Sequence, residues 1–83
     1  MEFEWVRDKE AINVRKHRIS FHEAASVFGD PLAITFNDPD HSIEEHRFIT
    51  FGETRFGDLV VVAHTERDGK TRIISARNMT KHE

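Results

Sequence analysis

The chain has 83 residues, no cysteine and a net charge of −3 at pH 7. This length predicts one domain over residues 1–83 with a small core, because so short a chain buries only about 60% of its unfolded surface. The absence of cysteine excludes disulfides and thiolate metal sites. The sequence has neither a signal-peptide core nor an apolar run near the roughly 18 residues of a membrane span, so we expect a soluble cytoplasmic protein.

The charge is unevenly distributed along the chain. Residues 7–18 carry a net +3 and residues 64–83 a net +2, whereas residues 32–63 carry a net −4. The acidic total argues against a tight, general RNA binder. A local basic patch can still act, because salt confines charge effects to about 8 Å at physiological ionic strength.

Two helices are predicted after a short extended segment, Phe3-Glu4-Trp5. The first covers residues 8–17, with Asp8 as its cap. It carries a polar set at spacings that bring side chains onto or near one helix face. This set comprises Lys9, Asn13, Lys16 and His17.

The second helix begins at a capping box, Ser20-Phe21-His22-Glu23, in which each of the two outer side chains binds the other residue's amide. Gly29 is expected to end it in a left-handed conformation, and Pro31 prevents its continuation.

Strands follow from Leu32, where apolar residues begin to alternate with a period of two. Further strands are predicted at residues 46–52, at the wholly apolar stretch 59–63 and at 71–77, the last two joined through an Asp68-Gly69 hairpin turn. A short helical stub is expected after Asn78. The predicted fold is therefore α+β, with two N-terminal helices packed on a roughly four-stranded antiparallel sheet.

The last strand, 71–77, carries Arg72 and Arg77 near its two ends. Strict alternation predicts that Arg72 shares a face with Ile74 and Ala76, and that Arg77 lies on the opposite face. An arginine on a rigid strand is a five-donor fork suited to phosphate. The alternative is that both arginines only reach water over an apolar stem.

His64 leaves the apolar strand just before Arg67 and beside the strand of the two arginines. A histidine at this place is a candidate acid or base next to a phosphate clamp. A polar strand end without a catalytic role is an equally good interpretation.

Two other groups are weaker candidates. The six histidines include no HExxH pattern, and their i, i+5 pairs are poor metal-binding pairs, so no metal site is predicted. Four acidic residues lie between the first strands, where we expect a solvated turn on which a cationic partner segment could also dock. They are Asp38, Asp40, Glu44 and Glu45.

An ordered set of short motifs runs through nearly the whole chain. It comprises Phe3-Glu4-Trp5; Lys9, Asn13 and Lys16-His17; Ser20-Phe21, Glu23-Ala24, Val27-Phe28 and Asp30-Pro31; Asp38-Pro39, His41, Glu44-Glu45, Arg47 and Gly52; His64-Thr65-Glu66-Arg67-Asp68-Gly69; and Arg72-Ile73-Ile74-Ser75-Ala76-Arg77, Thr80-Lys81 and Glu83. With these residues the chain resembles the BrnT family of type II toxins, in the RelE-like group.

The resemblance implies a RelE-like fold and a metal-independent ribonuclease that needs no cofactor and slows translation, with or without the ribosome presenting its substrate. It also implies a neutralising, DNA-binding antitoxin of the BrnA type with a ribbon-helix-helix fold, in a heterotetramer of two copies of each chain. The expected catalytic residues are His64, Arg67, Arg72 and Arg77. The expected RNA-binding residues are Lys9, Lys16 and His17.

Two departures from the family pattern leave other functions open. The chain stops soon after Lys81, and its total charge is acidic. One alternative is a non-catalytic module that only sequesters a ribbon-helix-helix repressor. A metal-dependent hydrolase that uses the histidines is a third and weaker alternative.

Overall fold

Two short helices lie on one face of a five-stranded sheet. The computed structural model describes residues 1–41 and 45–83. The elements in chain order are β1 (Phe3–Glu4), α1 (Arg7–His17), α2 (Phe21–Ala25), β2 (Ile34–Asn37), β3 (Arg47–Glu53), β4 (Leu59–Arg67) and β5 (Lys70–Asn78). Short 3-10 turns follow α2 at Ser26–Gly29 and β2 at Pro39–His41.

The sheet is mixed, with the strand order β1-β5-β4-β3-β2. The antiparallel pairing of the four strands from β2 to β5 confirms the predicted meander. β4 is the central strand of the five-stranded sheet. The extended segment predicted at Phe3-Glu4-Trp5 adds a fifth strand, β1, at the edge of the four predicted strands, and it pairs in parallel with β5 through Phe3–Thr71 and Glu4–Arg72. Two residues are too few to show a strand period in the sequence.

α1 begins one residue earlier than predicted and lacks the predicted cap. Its N-cap residue is Val6, and no side chain there accepts a hydrogen bond from the first turn. Asp8 therefore lies inside the helix, where its charge still favours the N-terminal end of the helix dipole. The helix ends at Arg18, which takes a left-handed conformation with φ 62°.

α2 has half of the predicted capping box. The Glu23 amide donates to the Ser20 hydroxyl at 3.0 Å, as predicted. The Glu23 carboxylate instead accepts from the Thr54 hydroxyl at 2.9 Å, which ties α2 to the turn after β3. The predicted left-handed end at Gly29 is wrong, because a 3-10 turn continues the chain there and Gly29 has no positive φ.

The core lies between the helices and the inner face of β4 and β5. It consists of Ile19, Phe21, Ala24, Val27, Val60, Val62, Ile73 and Ala76. One buried polar side chain, Asn13 of α1, spans this layer. Its amide nitrogen donates to the Ile19 and Ala76 carbonyls at 2.9 Å each, and its amide oxygen accepts from the Ala76 amide at 3.0 Å. Asn13 is thus fully satisfied and fixes α1 on β5.

A register shift in β5 changes which residues share a face. Ala63 pairs with Ser75, but its neighbour His64 pairs with Ile73, so Ile74 is the extra residue of a β-bulge. A bulge reverses the alternation beyond it. Ile73 and Ala76 both face the core in consequence, and Arg72 and Arg77 both lie on the opposite face. The predicted placement of the two arginines on different faces is therefore wrong.

The hairpin between β4 and β5 is as predicted, and the C-terminus is not. Asp68 and Gly69 have φ values of 54° and 78°, as a type I′ turn requires. The expected helical stub is a turn, in which the Glu83 amide donates to the Thr80 carbonyl at 3.0 Å. In the described part of the chain, no helix is long and apolar enough to cross a membrane.

Candidate functional site

The sheet face opposite the helices is here called the open face. Paired residues on neighbouring strands share a face, so the register defines three rows across it. The rows are Ile34–Phe51–Val61–Arg77, then Phe36–Ile49–Ala63–Ser75, then Arg47–Thr65–Arg72 with Glu4 of β1 beside Arg72. A shorter row, Arg67–Lys70, lies on the same face at the hairpin end. The centre of the three long rows is apolar, and Arg47, Arg72 and Arg77 lie at their ends.

Each of these arginines contacts a carboxylate. Arg72 Nε lies 2.7 Å from Glu4 Oε2, and Arg47 Nε lies 3.0 Å from Glu45 Oε1. Arg77 binds Glu83 through two parallel hydrogen bonds of 2.8 Å. This fork lowers the pKa of Glu83 to about 2, helped by the Thr80 amide. All three sites thus hold an oxyanion in a geometry that a phosphate could also use.

Arg72 and Arg77 are separated along the strands. Their partners on β4 are Thr65 and Val61, which at 3.3–3.4 Å per residue lie about 13 Å apart. The structure therefore brings both arginines to one face and pairs each with a different carboxylate.

His64 is a core residue. Its side chain is 4% exposed, and the Phe28 and Phe48 rings lie against it at centroid distances of 4.8 and 5.6 Å. Its Nε2 is 2.7 Å from the Thr50 hydroxyl, which is itself 2.7 Å from the Thr35 hydroxyl. Burial lowers the pKa of His64, with a smaller opposing effect of Glu66, so the ring is neutral near pH 7. RNA cannot touch the ring in this conformation.

Hydrogen bonding favours one tautomer of His64. Nδ1 is buried and has no partner among the described residues. An unpaired N–H donor is rarer in protein interiors than an unpaired acceptor. We therefore place the proton on Nε2, where it donates to Thr50, and leave a bare lone pair on Nδ1.

Arg67 lies in an open cleft at the end of β4 and makes no ion pair with the described residues. The cleft has a volume of about 510 Å³ and is lined by Glu45, His46, Phe48, Thr65, Glu66 and Arg67. The His46 ring is stacked on Phe48 at 4.7 Å, and its Nε2 lies 2.7 Å from Asn37 Oδ1. His46 is thus an accessible imidazole beside Arg67, which the sequence analysis missed.

The three predicted RNA-binding residues of α1 do come together. Lys9, Lys16 and His17 line a groove of about 240 Å³ with Ile74 and Ser75 of β5. The bulge at Ile74 forms one wall of this groove. Since Ser75 also belongs to the middle row of the open face, the groove meets that face at the edge of β5.

The acidic loop is only partly described. Asp38 is buried and accepts a hydrogen bond from the Asp40 amide, while Glu45 binds Arg47. Glu44 lies outside the described residues. No group of three acidic or histidine side chains within residues 1–41 and 45–83 could hold a metal ion.

Comparison with known proteins gives the family. A family model described as the ribonuclease toxin, BrnT, of type II toxin-antitoxin systems matches residues 5–83. The chain belongs to the BrnT family. The crystal structure of the Brucella abortus ribonuclease toxin BrnT is similar, with a TM-score of 0.76 and 19% identity over 98% of this chain and 99% of that one. That likeness supports the α+β fold, and no curated protein matches the chain.

The family membership agrees with the resemblance noted in the sequence, and the structure adds residues that the motifs did not single out. Arg47 was part of the pattern but had no predicted role, and Phe36 and Phe51 were read only as strand residues. Their common face follows from the register of β2, β3 and β4, which a hydrophobic period alone does not give.

Proposed function

We propose that this BrnT-family chain is an endoribonuclease that binds single-stranded RNA on its open face and so inhibits translation in the cytoplasm. The observation that carries the proposal is the placement of Arg72 and Arg77 on one face by the β5 bulge. Guanidinium groups are the side chains best matched to phosphate, and here they are mounted on β5, a strand that is hydrogen-bonded to the central strand β4.

The carboxylates on these arginines do not exclude RNA. The Arg72 and Glu4 side chains are 31% and 28% exposed, and those of Arg77 and Glu83 are 43% and 22% exposed. Solvent screens partly exposed pairs of this kind, so they contribute little net stability. A phosphodiester carries the same single negative charge as the carboxylate that it would replace, so the exchange leaves the charge balance of each site unchanged.

The proposed reaction uses the RNA's own nucleophile. The ribose 2′-OH attacks the adjacent phosphorus, its proton passes to a base, and the 5′ oxygen of the next nucleotide leaves with a proton. The products are a 2′,3′-cyclic phosphate and a 5′-hydroxyl. Arg72, Arg77 and Arg67 would stabilise the charge on the phosphorane and on the phosphates beside it, because Arg72 and Arg77 lie about 13 Å apart along the strands. No metal ion is needed for that role.

The base predicted from the sequence is His64, but its ring lies on the helix-facing side of the sheet, opposite Arg72 and Arg77. It could act only if the Phe28 and Phe48 rings moved away and the RNA also reached that side. A bare Nδ1 lone pair is what a general base requires, whereas contact with Phe28 and Phe48 keeps it from substrate. The accessible ring of His46 beside Arg67 is the second candidate. Lys9, Lys16 and His17 would extend the RNA path from Ser75 along the α1 groove.

As a member of a type II toxin-antitoxin family, the chain is expected to have an antitoxin partner. We propose a BrnA-type ribbon-helix-helix protein that binds DNA, in a heterotetramer. Co-expression with the neighbouring reading frame and measurement of the mass of the purified complex test this assignment. A complex whose mass differs from two copies of each chain would refute the stoichiometry.

The nuclease proposal is tested by cleavage of a mixed-sequence RNA in the presence of EDTA. Wild type should generate 2′,3′-cyclic ends. Arg72→Gln and Arg77→Gln should each lower the rate by roughly 10²- to 10³-fold, the usual cost of removing one transition-state contact. Arg55→Gln is the matched control, because Arg55 lies over Phe56 and outside the three rows. Equal rates in all four proteins contradict the proposal, and loss of activity in EDTA contradicts metal independence.

A second candidate is a module that sequesters its antitoxin without cutting RNA. The carboxylates on Arg47, Arg72 and Arg77 and the burial of His64 favour it. In that case expression of the chain alone arrests neither growth nor translation, while Arg72→Gln changes nothing measurable in cells. Growth arrest that depends on Arg72 and Arg77 excludes it.

A further inference from the structure

An apolar pocket lies on the open face next to the Arg77–Glu83 pair. It has a volume of about 360 Å³ and is lined by Ile34, Phe36, Phe51, His82 and Glu83. Phe36 and Phe51 form its aromatic part, with ring centroids 5.8 Å apart at an interplanar angle of 83°. Small-ligand pockets begin at roughly 300 Å³, so this one can receive a single planar ring system.

Two apolar side chains of this pocket are largely exposed. Phe36 is 54% exposed and Ile34 is 57% exposed, although both lie on a hydrogen-bonded strand. A strand that hides neither residue in the core leaves a ready surface for a flat, apolar ligand.

The same pocket shares one wall with a phosphate-type site. Glu83 lines it and at the same time holds both terminal nitrogens of Arg77 at 2.8 Å. Arg77 and the pocket therefore meet at the Glu83 carboxylate. One row across the sheet also connects the two sites, through the consecutive neighbours Arg77, Val61, Phe51 and Ile34.

We propose that this pocket receives one unstacked base of single-stranded RNA, whose phosphate replaces the Glu83 carboxylate on Arg77. The proposal rests on the RNA-binding function proposed above and names a substrate subsite within it. Aromatic side chains hold unpaired bases by stacking, and this mode is tolerant of sequence. The adjacent guanidinium distinguishes RNA from an apolar peptide as the occupant, since an RNA base always comes with a phosphate.

The subsite also predicts which form of RNA is bound. Bases in a duplex are stacked and paired, so they cannot enter a pocket of this size. The protein should therefore select single-stranded segments and should tolerate changes of sequence at this position. Glu83 acts here as a competitor that the phosphate must displace.

The test is a binding titration with a fluorescent 2′-O-methyl RNA hexamer, which lacks the attacking hydroxyl and is not cut. Phe36→Ala should weaken binding by roughly 5- to 100-fold, as expected for loss of one base–aromatic stack. Phe36→Trp should restore it. Phe56→Ala is the matched control, because Phe56 is 66% exposed but lies outside the pocket, and it should have no effect.

Salt dependence separates the base from the phosphate. Arg77→Gln should reduce the slope of log affinity against log salt by about 0.7, the value for one phosphate contact on a single strand. Phe36→Ala should lower affinity without changing that slope, and Glu83→Gln should raise affinity. A second series replaces each base of the hexamer in turn by an abasic site. At the one position whose base occupies the pocket, the loss of binding free energy should not add to the loss caused by Phe36→Ala, because both changes remove the same contact.

The possible failures are distinguishable. If wild type binds no RNA, the proposed function and the subsite are both refuted. If wild type binds RNA and depends on Arg77 while Phe36→Ala binds equally well, only the subsite is refuted. If Phe36→Ala leaves RNA binding intact and abolishes binding of the co-expressed antitoxin, the pocket is a protein-docking site instead.

Discussion

At the scale of single residues, His64 was a candidate catalytic group in the sequence and is a buried core residue in the structure. The sequence places it between an apolar strand and an arginine, which suggested an exposed catalytic group. The register instead puts it on the same face as Val60 and Val62, under Phe28. Its ring is linked through Thr50 to Thr35, so it also joins β4 to β3 and β2.

His64 should make stability depend on pH. Its folded pKa is lowered by burial, whereas the unfolded chain titrates near the ordinary value of 6.5. Below that value the unfolded state binds the additional proton. The contribution of neutral His64 to the free energy of unfolding is therefore complete above about pH 6.5 and is lost as pH falls toward the lowered pKa of the folded state. For one proton, this loss is at most about 1.4 kcal/mol per pH unit.

Urea unfolding between pH 7.5 and pH 5 measures this effect. His64→Gln should be less stable than wild type at pH 7.5 but should lose less further stability on acidification. His22→Gln, which changes a histidine at the surface, is the matched control for the substitution itself. An identical pH dependence in wild type and His64→Gln would show that another group is responsible.

At the scale of secondary-structure elements, the bulge and the close contacts of β3 determine how the layers fit. Asn13 supports the bulged strand from the helix side by bonding both backbone groups of Ala76. On β3, Gly52 lies directly under the turn that follows α2. A Cβ there would stand 2.8 Å from Val27 Cγ1 and 3.1 Å from Ala33 Cβ.

Gly52→Ala should therefore destabilise the fold, because neither neighbour can move without disturbing the core. We expect a loss of roughly 1–3 kcal/mol, as for other overpacked sites. Gly29→Ala is the matched control, since nothing lies within 4 Å of its added Cβ and its φ is not positive. That change should be neutral or should stabilise by up to about 1 kcal/mol.

Urea midpoints at constant m-value report both substitutions. Equal midpoints for Gly52→Ala and wild type would mean that α2 and β3 are less closely packed than described. A large loss in Gly29→Ala would mean that the 3-10 turn does not tolerate a side chain.

At the scale of the whole molecule, the fold places its two basic segments on neighbouring elements. The α1 groove meets β5 at Ile74 and Ser75, and β5 carries Arg72 and Arg77 on the adjacent open face. The net charge of −3 therefore coexists with a strand that carries two arginines, each in contact with a carboxylate, Glu4 or Glu83. Acidic residues such as Asp38, just after β2, and Glu53, at the end of β3, lie at the other half of the sheet.

Local signals in the sequence predicted much of this arrangement. The Ser20 cap, the Asp68-Gly69 turn and the period of two identified α2 and four of the five strands, because each depends on neighbouring residues. The bulge at Ile74, the parallel strand β1 and the burial of His64 depend on contacts between distant segments. The opposite-face assignment of Arg72 and Arg77 failed for that reason, while the clustering of Lys9, Lys16 and His17 was correct.

The same limit applies to the candidate site. The family motifs pointed to arginines on β5, but only the register shows that Arg47, Phe36 and Phe51 share their face. The salt bridge between Arg72 and Glu4 joins residues 68 positions apart, so no local sequence pattern predicts it.

The most direct test is an NMR titration of the ¹⁵N-labelled wild-type chain with the 2′-O-methyl RNA hexamer. We expect the amide shifts to concentrate on the open-face strands, from Ile34 and Phe36 through Phe51 to Arg72 and Arg77, and at Glu83. Shifts confined to α2 and the turn after it, with β5 unperturbed, would contradict the assignment of the open face as the RNA-binding surface.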